Sequence, residues 1–338
     1  MKVLLSILFL LWSVELNDPV QFNLVSRIPL PYEINLSQVE FVDVNRKGDL
    51  LLTDVSTETV VLYESETDSF RELNSEECHP GFAFQPIRAH FVMDDIWVFN
   101  RQPQVFKFQK NGDCIGSFDR QMEPPDLFSE MDEETVVGLK PLNYDLKSPT
   151  LYLFDDTGAI KKTVDLGEYI LAPVFSFRYG SGGMFSNSNR LYFALSSAPV
   201  IYSYDSMDDS IELHVPGENM GLSVVHNDDL GRNSRGNPGS MFNEVRDYLS
   251  RYTSTIQFSR LNDQYALMQI EQPGRSGREL LVFDMKNEQF MDHSYTMDMK
   301  AGEFYYAYAN SKAYTITFRD EEDRWVLKVY EVVVQVEK

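Results

Sequence analysis

The side chains able to do chemistry are dispersed along this chain. The five histidines are His79, His90, His214, His226 and His293, and no two stand two or four positions apart. A local zinc-binding pair is therefore absent from the sequence pattern. Arg88 and His90 are two apart in a strand-like run, so both project from one face of that strand. Asp43 and Asn45 share the same spacing in an earlier run. Together these four would line a polar channel of mixed charge, suited to holding an anion or moving a proton. For a divalent ion such as calcium, the oxygen donors within reach of one channel mouth are Glu40, Asp43, Asn187 and Asn189. Tyr305, Tyr306 and Tyr308 near a strand start offer faces for stacking on a sugar ring.

Other motifs fail on spacing. HNDDLG, from His226 to Gly231, has acid and amide oxygens, but its glycine comes early and no glutamate closes the loop. GRNSRGNPGS lacks the Lys-Ser/Thr of a phosphate loop. The glycines around Ser181 flank it directly in YGSGGM, so it is not the GxSxG of a nucleophile elbow. No catalytic motif emerges.

The elements that must position these residues are strands. Six apolar, β-branched and aromatic runs end in an aromatic residue followed by an acid or amide, at Tyr63, Phe108, Phe154, Tyr204, Phe283 and Tyr330. Four of the five intervals are close to fifty residues, and the one between Tyr204 and Phe283 is longer by about thirty. A second strand-like run precedes each, and Gly- or Asn-bearing turns such as RKGD, KNGD and DDTG separate strands. Many runs are apolar on both faces, as strands are when their sheet is covered on both sides. The pattern predicts an all-β, six-bladed propeller of four-stranded antiparallel blades. The last unit lacks a fourth strand, and VQFNLVSRI, from Val20 to Ile28, precedes the first unit without a partner. The N-terminal strand is therefore expected to complete the last blade and remove an open edge.

The stretch VDVNRKGDLLLTDVSTETVVLYES, from Val42 to Ser65, resembles one repeat of the NHL and TolB-like propeller superfamily. The shared features are Asp43-x-Asn45, Gly48-Asp49, the apolar triplet, Thr53-Asp54 and the Val-Val-Leu-Tyr strand. The whole chain is similar to exported bacterial six-bladed propellers. That resemblance implies a single propeller domain over residues 18–338. It also raises a metal-dependent hydrolase, lactonase or lyase with a central divalent ion as an alternative to a binding module.

The long interval holds residues 215–253, which join the outer strand of the fourth unit to the inner strand of the fifth. This connection is expected on the face of the middle hairpins. Val245, Tyr248, Leu249 and Tyr252 would form one stripe of a short helix there, acting as a cover, lid or partner element. The same path puts Cys78 and Cys114, the only cysteines, at opposite faces, which argues against a bridge.

The net charge of −22 excludes most nucleic-acid binders, which need clustered Lys and Arg. Lys2 followed by the apolar run Val3 to Val14 reads as a secretory leader over residues 1–17, too short to span a bilayer. No second run is long enough to cross one. The expectation is an exported, monomeric protein of the periplasm, cell envelope or exterior. It would bind a carbohydrate, another small molecule or a protein without catalysis, on the face carrying residues 215–253.

Overall fold

The computed structural model describes residues 20–74, 82–120, 124–131, 135–140, 149–155, 157–167, 169–170, 182–224, 246–248, 250–275, 277–297, 307–319 and 324–335. The predicted leader and residues 225–245 lie outside them. Among the described residues the structure is strand almost throughout, and no helix is long and apolar enough to cross a membrane.

Hairpins build every sheet. Strands β2 (Phe41–Val44), β3 (Leu50–Asp54), β4 (Thr59–Glu64) and β5 (Ser69–Glu72) pair in chain order, as do β6 (Pro86–Val92), β7 (Asp95–Asn100), β8 (Gln104–Gln109) and β9 (Cys114–Asp119). The next meander is β10 (Leu127–Glu130), β11 (Val136–Lys140), β12 (Thr150–Phe154) and β13 (Ile160–Asp165). It is followed by β14 (Gly182–Asn187), β15 (Arg190–Leu195), β16 (Ile201–Asp205) and β17 (Ser210–His214). After the long connection come β18 (Ser254–Arg260), β19 (Tyr265–Glu271), β20 (Glu279–Asp284) and β21 (Gln289–Thr296). These two meanders merge into one eight-stranded sheet through a single parallel pair, Gly182 with Gln257. A β carbon on Gly183 would lie 1.7 Å from the Phe258 carbonyl oxygen, so only glycine lets the two backbones approach this closely. The outer hairpins turn through a residue of positive φ: Asp68, Gly112, Gly158, Asp209 and Glu288. Tyr63 and Tyr204 donate their hydroxyls to Asp68 and Asp209 at 2.7 and 2.6 Å, pinning two of those turns.

The last sheet closes as the sequence predicts. It contains β22 (Ala307–Ala309), β23 (Lys312–Arg319), β24 (Arg324–Val334) and, on its outer side, β1 (Val20–Pro29). β1 runs antiparallel to β24 from Val20 opposite Val334 to Pro29 opposite Val326, with a bulge between Leu24 and Ser26. The inner strands touch in cyclic order, β2 with β6, β6 with β10, β10 with β14, β14 with β18, β18 with β22, and β22 with β2. The sheets therefore stand in a ring.

Burial on both strand faces has a direct cause. Leu51 packs toward the second sheet with Ala89, Ile96 and Phe106, while its neighbours Leu50 and Leu52 pack toward the last sheet with Tyr314, Ile316 and Leu327. Alternation sends successive side chains into two different interfaces, both of them apolar.

One expectation is overturned. Cys114 is disulfide-bonded, and the chain contains a single other cysteine, Cys78, which lies outside the described residues. The opposite-face argument fails because β5 is only four residues long. The chain leaves it beside the neighbouring β8–β9 hairpin, where Leu73 packs in the same cluster as Cys114 and a β carbon on Gly112 would meet Leu73 at 3.1 Å.

Asp54 ties the lead-in of β2 to the ring. Its carboxylate accepts the Ser37 and Gln38 backbone N–H groups at 2.6 and 2.8 Å, and those of Ser56 and Thr57 at 2.9 and 3.1 Å. The Ser56 hydroxyl adds a further bond of 2.6 Å. Burial alone would raise the carboxyl, but these donors outweigh it and hold the pKa at about 2. A depressed carboxyl stabilises the fold above its unfolded pKa, and that stability is lost as pH falls toward the folded value. Asp54→Asn is expected to cost about 2 kcal/mol at neutral pH and to flatten the loss of stability between about pH 4 and pH 2. Urea midpoints of the two proteins across that range check this; parallel curves would refute it.

Candidate functional site

The ring encloses a central cavity of about 1210 Å³, lined by residues from β2, β6, β10, β14, β18 and β22. Of the residues singled out from the sequence, Glu40, Asp43, Asn45, Arg88, His90 and Tyr308 all line it. Their roles differ once the contacts are read.

Arg88 is fully engaged. Its guanidinium donates to the carbonyls of Pro125, at 3.1 Å, and Asp126, pairs with the Asp126 carboxylate at 2.9 Å, and lies 4.4 Å from the centroid of the Phe41 ring. Burial pulls its pKa down and Asp126 opposes that pull. Arg88 is thus a clasp between the second sheet and the lead-in of the third. Asn45 is also engaged: its side-chain oxygen caps the N–H groups of Lys47, Gly48 and Asp49, shaping the β2–β3 turn. Tyr308 borders the cavity while its ring is buried in the core between the last two sheets, leaving no open face for stacking on a sugar.

His90 and Asp43 form a different pair. His90 stacks on Phe128 at 5.1 Å between ring centroids, with its side chain 12% exposed and Nδ1 3.7 Å from the Asp43 carboxylate. Asp43 also accepts the Phe91 N–H at 2.8 Å. Glu130 lies on the same wall, and burial raises its carboxyl pKa, opposed by the Met93 N–H, Lys110 and Arg46 and reinforced by Asp43. The wall carries two acids beside an aromatic surface.

The candidate oxygen donors for a divalent ion do not converge. Glu40 lines the cavity with one oxygen accepting Val55 N–H at 2.9 Å. Asn187 and Asn189 sit at the β14–β15 hairpin, outside the lining, with Asn189 exposed. Among the described residues, Glu212, His214 and Glu288 bring ligand atoms within 4.8 Å of one another. A cation already holds that group: Arg190 pairs with Glu288, with Glu212 at 3.2 Å and with Asp205 at 3.5 Å. Tyr192 donates to Glu288 at 2.9 Å, and His214 Nε2 meets the Ser203 hydroxyl at 2.9 Å. The group reads as an ionic lock between the fourth and fifth meanders.

The described end of the long connection meets the β15–β16 connection. Tyr248 is buried and donates to the Ser197 carbonyl at 2.7 Å, in the β15–β16 connection, and its ring lies 4.8 Å from that of Tyr252. Neither tyrosine lines the cavity; they anchor the segment. Tyr306, Val245, Leu249, Ser181 and the loop from His226 to Gly231 lie outside the described residues.

Sequence reasoning missed the other lining arginines, Arg46, Arg246, Arg260 and Arg278. A usable signal existed for two of them. Arg46 follows the first inner-strand run and Arg260 ends the fifth, so both stand at the same level of the ring.

No protein-family model matches the chain, and no curated protein matches it. Solved structures do. A Bacteroides fragilis protein whose name marks it as exported aligns over 96% of this chain and 98% of its own, with a TM-score of 0.59 at 10% identity. The WD40 repeats of RRP9 align over 93% and 99%, with a TM-score of 0.53 at 8% identity. At these identities the likeness concerns fold alone, and that fold is the β-propeller.

Proposed function

We propose that this β-propeller is six-bladed, exported, and binds a small molecule in its central cavity without transforming it. The observation that carries the reading is the cavity itself. It is somewhat larger than the roughly 300–1,000 Å³ typical of small-molecule pockets, runs the length of the inner strands, and combines apolar walls with eleven charged side chains of both signs. The six-bladed count is supported by the four-stranded meanders, the doubled one counted twice, and by the cyclic contacts of their inner strands. Export is supported by the apolar run after Lys2 and by the bridge at Cys114, which suits an oxidising compartment. A ligand mouth on the face of the 215–253 segment is supported by Arg246, which that segment contributes to the lining.

The test is equilibrium dialysis of the protein against a small-molecule extract of its source cells, read by mass spectrometry. Ser259 and Ser129 both line the cavity, so Ser259→Trp and Ser129→Trp would fill it. The proposal expects one or a few compounds retained by the wild type and lost from both filled variants. Equal retention by all three proteins, including none by any, contradicts it.

A further inference from the structure

We propose that the end of the cavity opposite the 215–253 segment is an oxyanion subsite. It would be formed by Arg46 and Arg260 around Ser186, and would take the carboxylate or phosphate head of a ligand with an apolar body. The inference rests on the cavity reading and specifies what the cavity takes. The long segment enters β18 at Ser254, and Arg260 stands at that strand's other end. Arg46 comes from the β2–β3 turn and Ser186 from the far end of β14.

Three separate elements thus bring two guanidinium groups to one neutral residue. Arg46 Nη2 is 3.4 Å from Ser186 Oγ, and Arg260 Nη1 is 3.3 Å from the Ser186 carbonyl oxygen. Among the described residues Arg46 has no carboxylate within ion-pair distance. Arg260 donates its Nε to the Asn262 carbonyl at 3.1 Å and pairs with Asp263, which also borders the cavity but whose side chain is 98% exposed and therefore solvated. Ser186 carries no charge to balance Arg46, whereas an oxyanion there would accept from Arg46, from Arg260 and from the serine hydroxyl at once. Glu130 borders the same cavity and feels the Arg46 charge, which opposes the rise that burial gives its carboxyl. The cavity lining carries five arginines and no lysine beside six carboxylates, of which Asp126 is already paired with Arg88 and Glu40 accepts the Val55 N–H. Phe91 and Phe128 supply apolar wall for the rest of the ligand.

Two fluorescent probes separate this inference from the reading beneath it: anilinonaphthalene sulfonate, an anion with an aromatic body, and Nile red, which is uncharged. They are titrated into wild type, Arg46→Gln, the double variant R46Q/R260Q, and R71Q/R251Q, which removes the same charge from exposed positions. Nile red is expected to bind all four alike. The sulfonate probe is expected to bind R46Q/R260Q about tenfold more weakly than wild type, Arg46→Gln in between, and R71Q/R251Q as wild type. Inorganic phosphate or succinate at constant ionic strength should displace the sulfonate probe, and whichever does so identifies the head group. Unchanged sulfonate binding to R46Q/R260Q, or displacement by neither anion, overturns the subsite while Nile red binding leaves the cavity reading standing. Failure of both probes to bind wild type overturns both.

Discussion

A chain starting at Leu30 is expected to lose cooperative folding, compared with one starting at Asp18. β1 supplies the outer strand of the last sheet, and its side chains enter two separate interfaces. Val20 is buried with Phe22 beside it in the cluster between the fifth and last meanders, and Ile28 packs against the cluster between the last sheet and the first. Burial of three such apolar side chains contributes roughly 5 kcal/mol, comparable with the whole stability of many domains. Deletion would also expose the full length of β24 as a pairing edge, so the truncated chain should aggregate. A synthetic Val20–Pro29 peptide should restore a cooperative melt by adding itself to that edge. A truncated chain that melts within a few degrees of the longer one, with no response to the peptide, would show that the ring does not depend on this closure.

The second large effect concerns the bridge at Cys114. It closes a loop of roughly 35 residues, for which chain-entropy arguments give a stabilisation of about 4 kcal/mol. Reduction of the wild type and the substitution Cys114→Ser should each lower the unfolding free energy from urea titration by that amount and shift the midpoint down accordingly, and the variant should not respond further to reductant. Coincident midpoints with and without reductant would mean that the bridge does not constrain the unfolded chain. The bridge fastens the exit from the first meander to the hairpin of the second, where Arg71 also donates to the Asn111 carbonyl and pairs with Asp113 at 3.2 Å. Its loss should therefore loosen that interface before the others.

Most of the strand architecture was legible in the residues. The runs ending at Tyr63 and Phe108 became β4 and β8 because each places alternate apolar side chains into two buried interfaces. The strand VQFNLVSRI found its place because the last unit visibly lacked a partner. What resisted reading was the destination of side chains at strand ends. Arg88 and Asn45 reach the cavity, yet their polar atoms are engaged by Asp126 and by the β2–β3 turn. Arg46 and Arg260 belong to turn and strand-end positions whose direction depends on how neighbouring meanders meet. Asn187 and Asn189 follow an inner strand past the cavity to its hairpin, a difference of one or two residues that pattern cannot resolve. The cysteine bridge depended on the length of β5, which the run FREL alone does not set.

The central claim is that the ring holds its ligand on the axis, among the inner strands. The most direct measurement is a crystal structure of the wild-type protein with the compound retained in dialysis. The account predicts ligand density enclosed by β2, β6, β14 and β18, with its anionic end against Arg46 and Arg260. Density on the outer rim, with the axial cavity holding solvent alone, would contradict it.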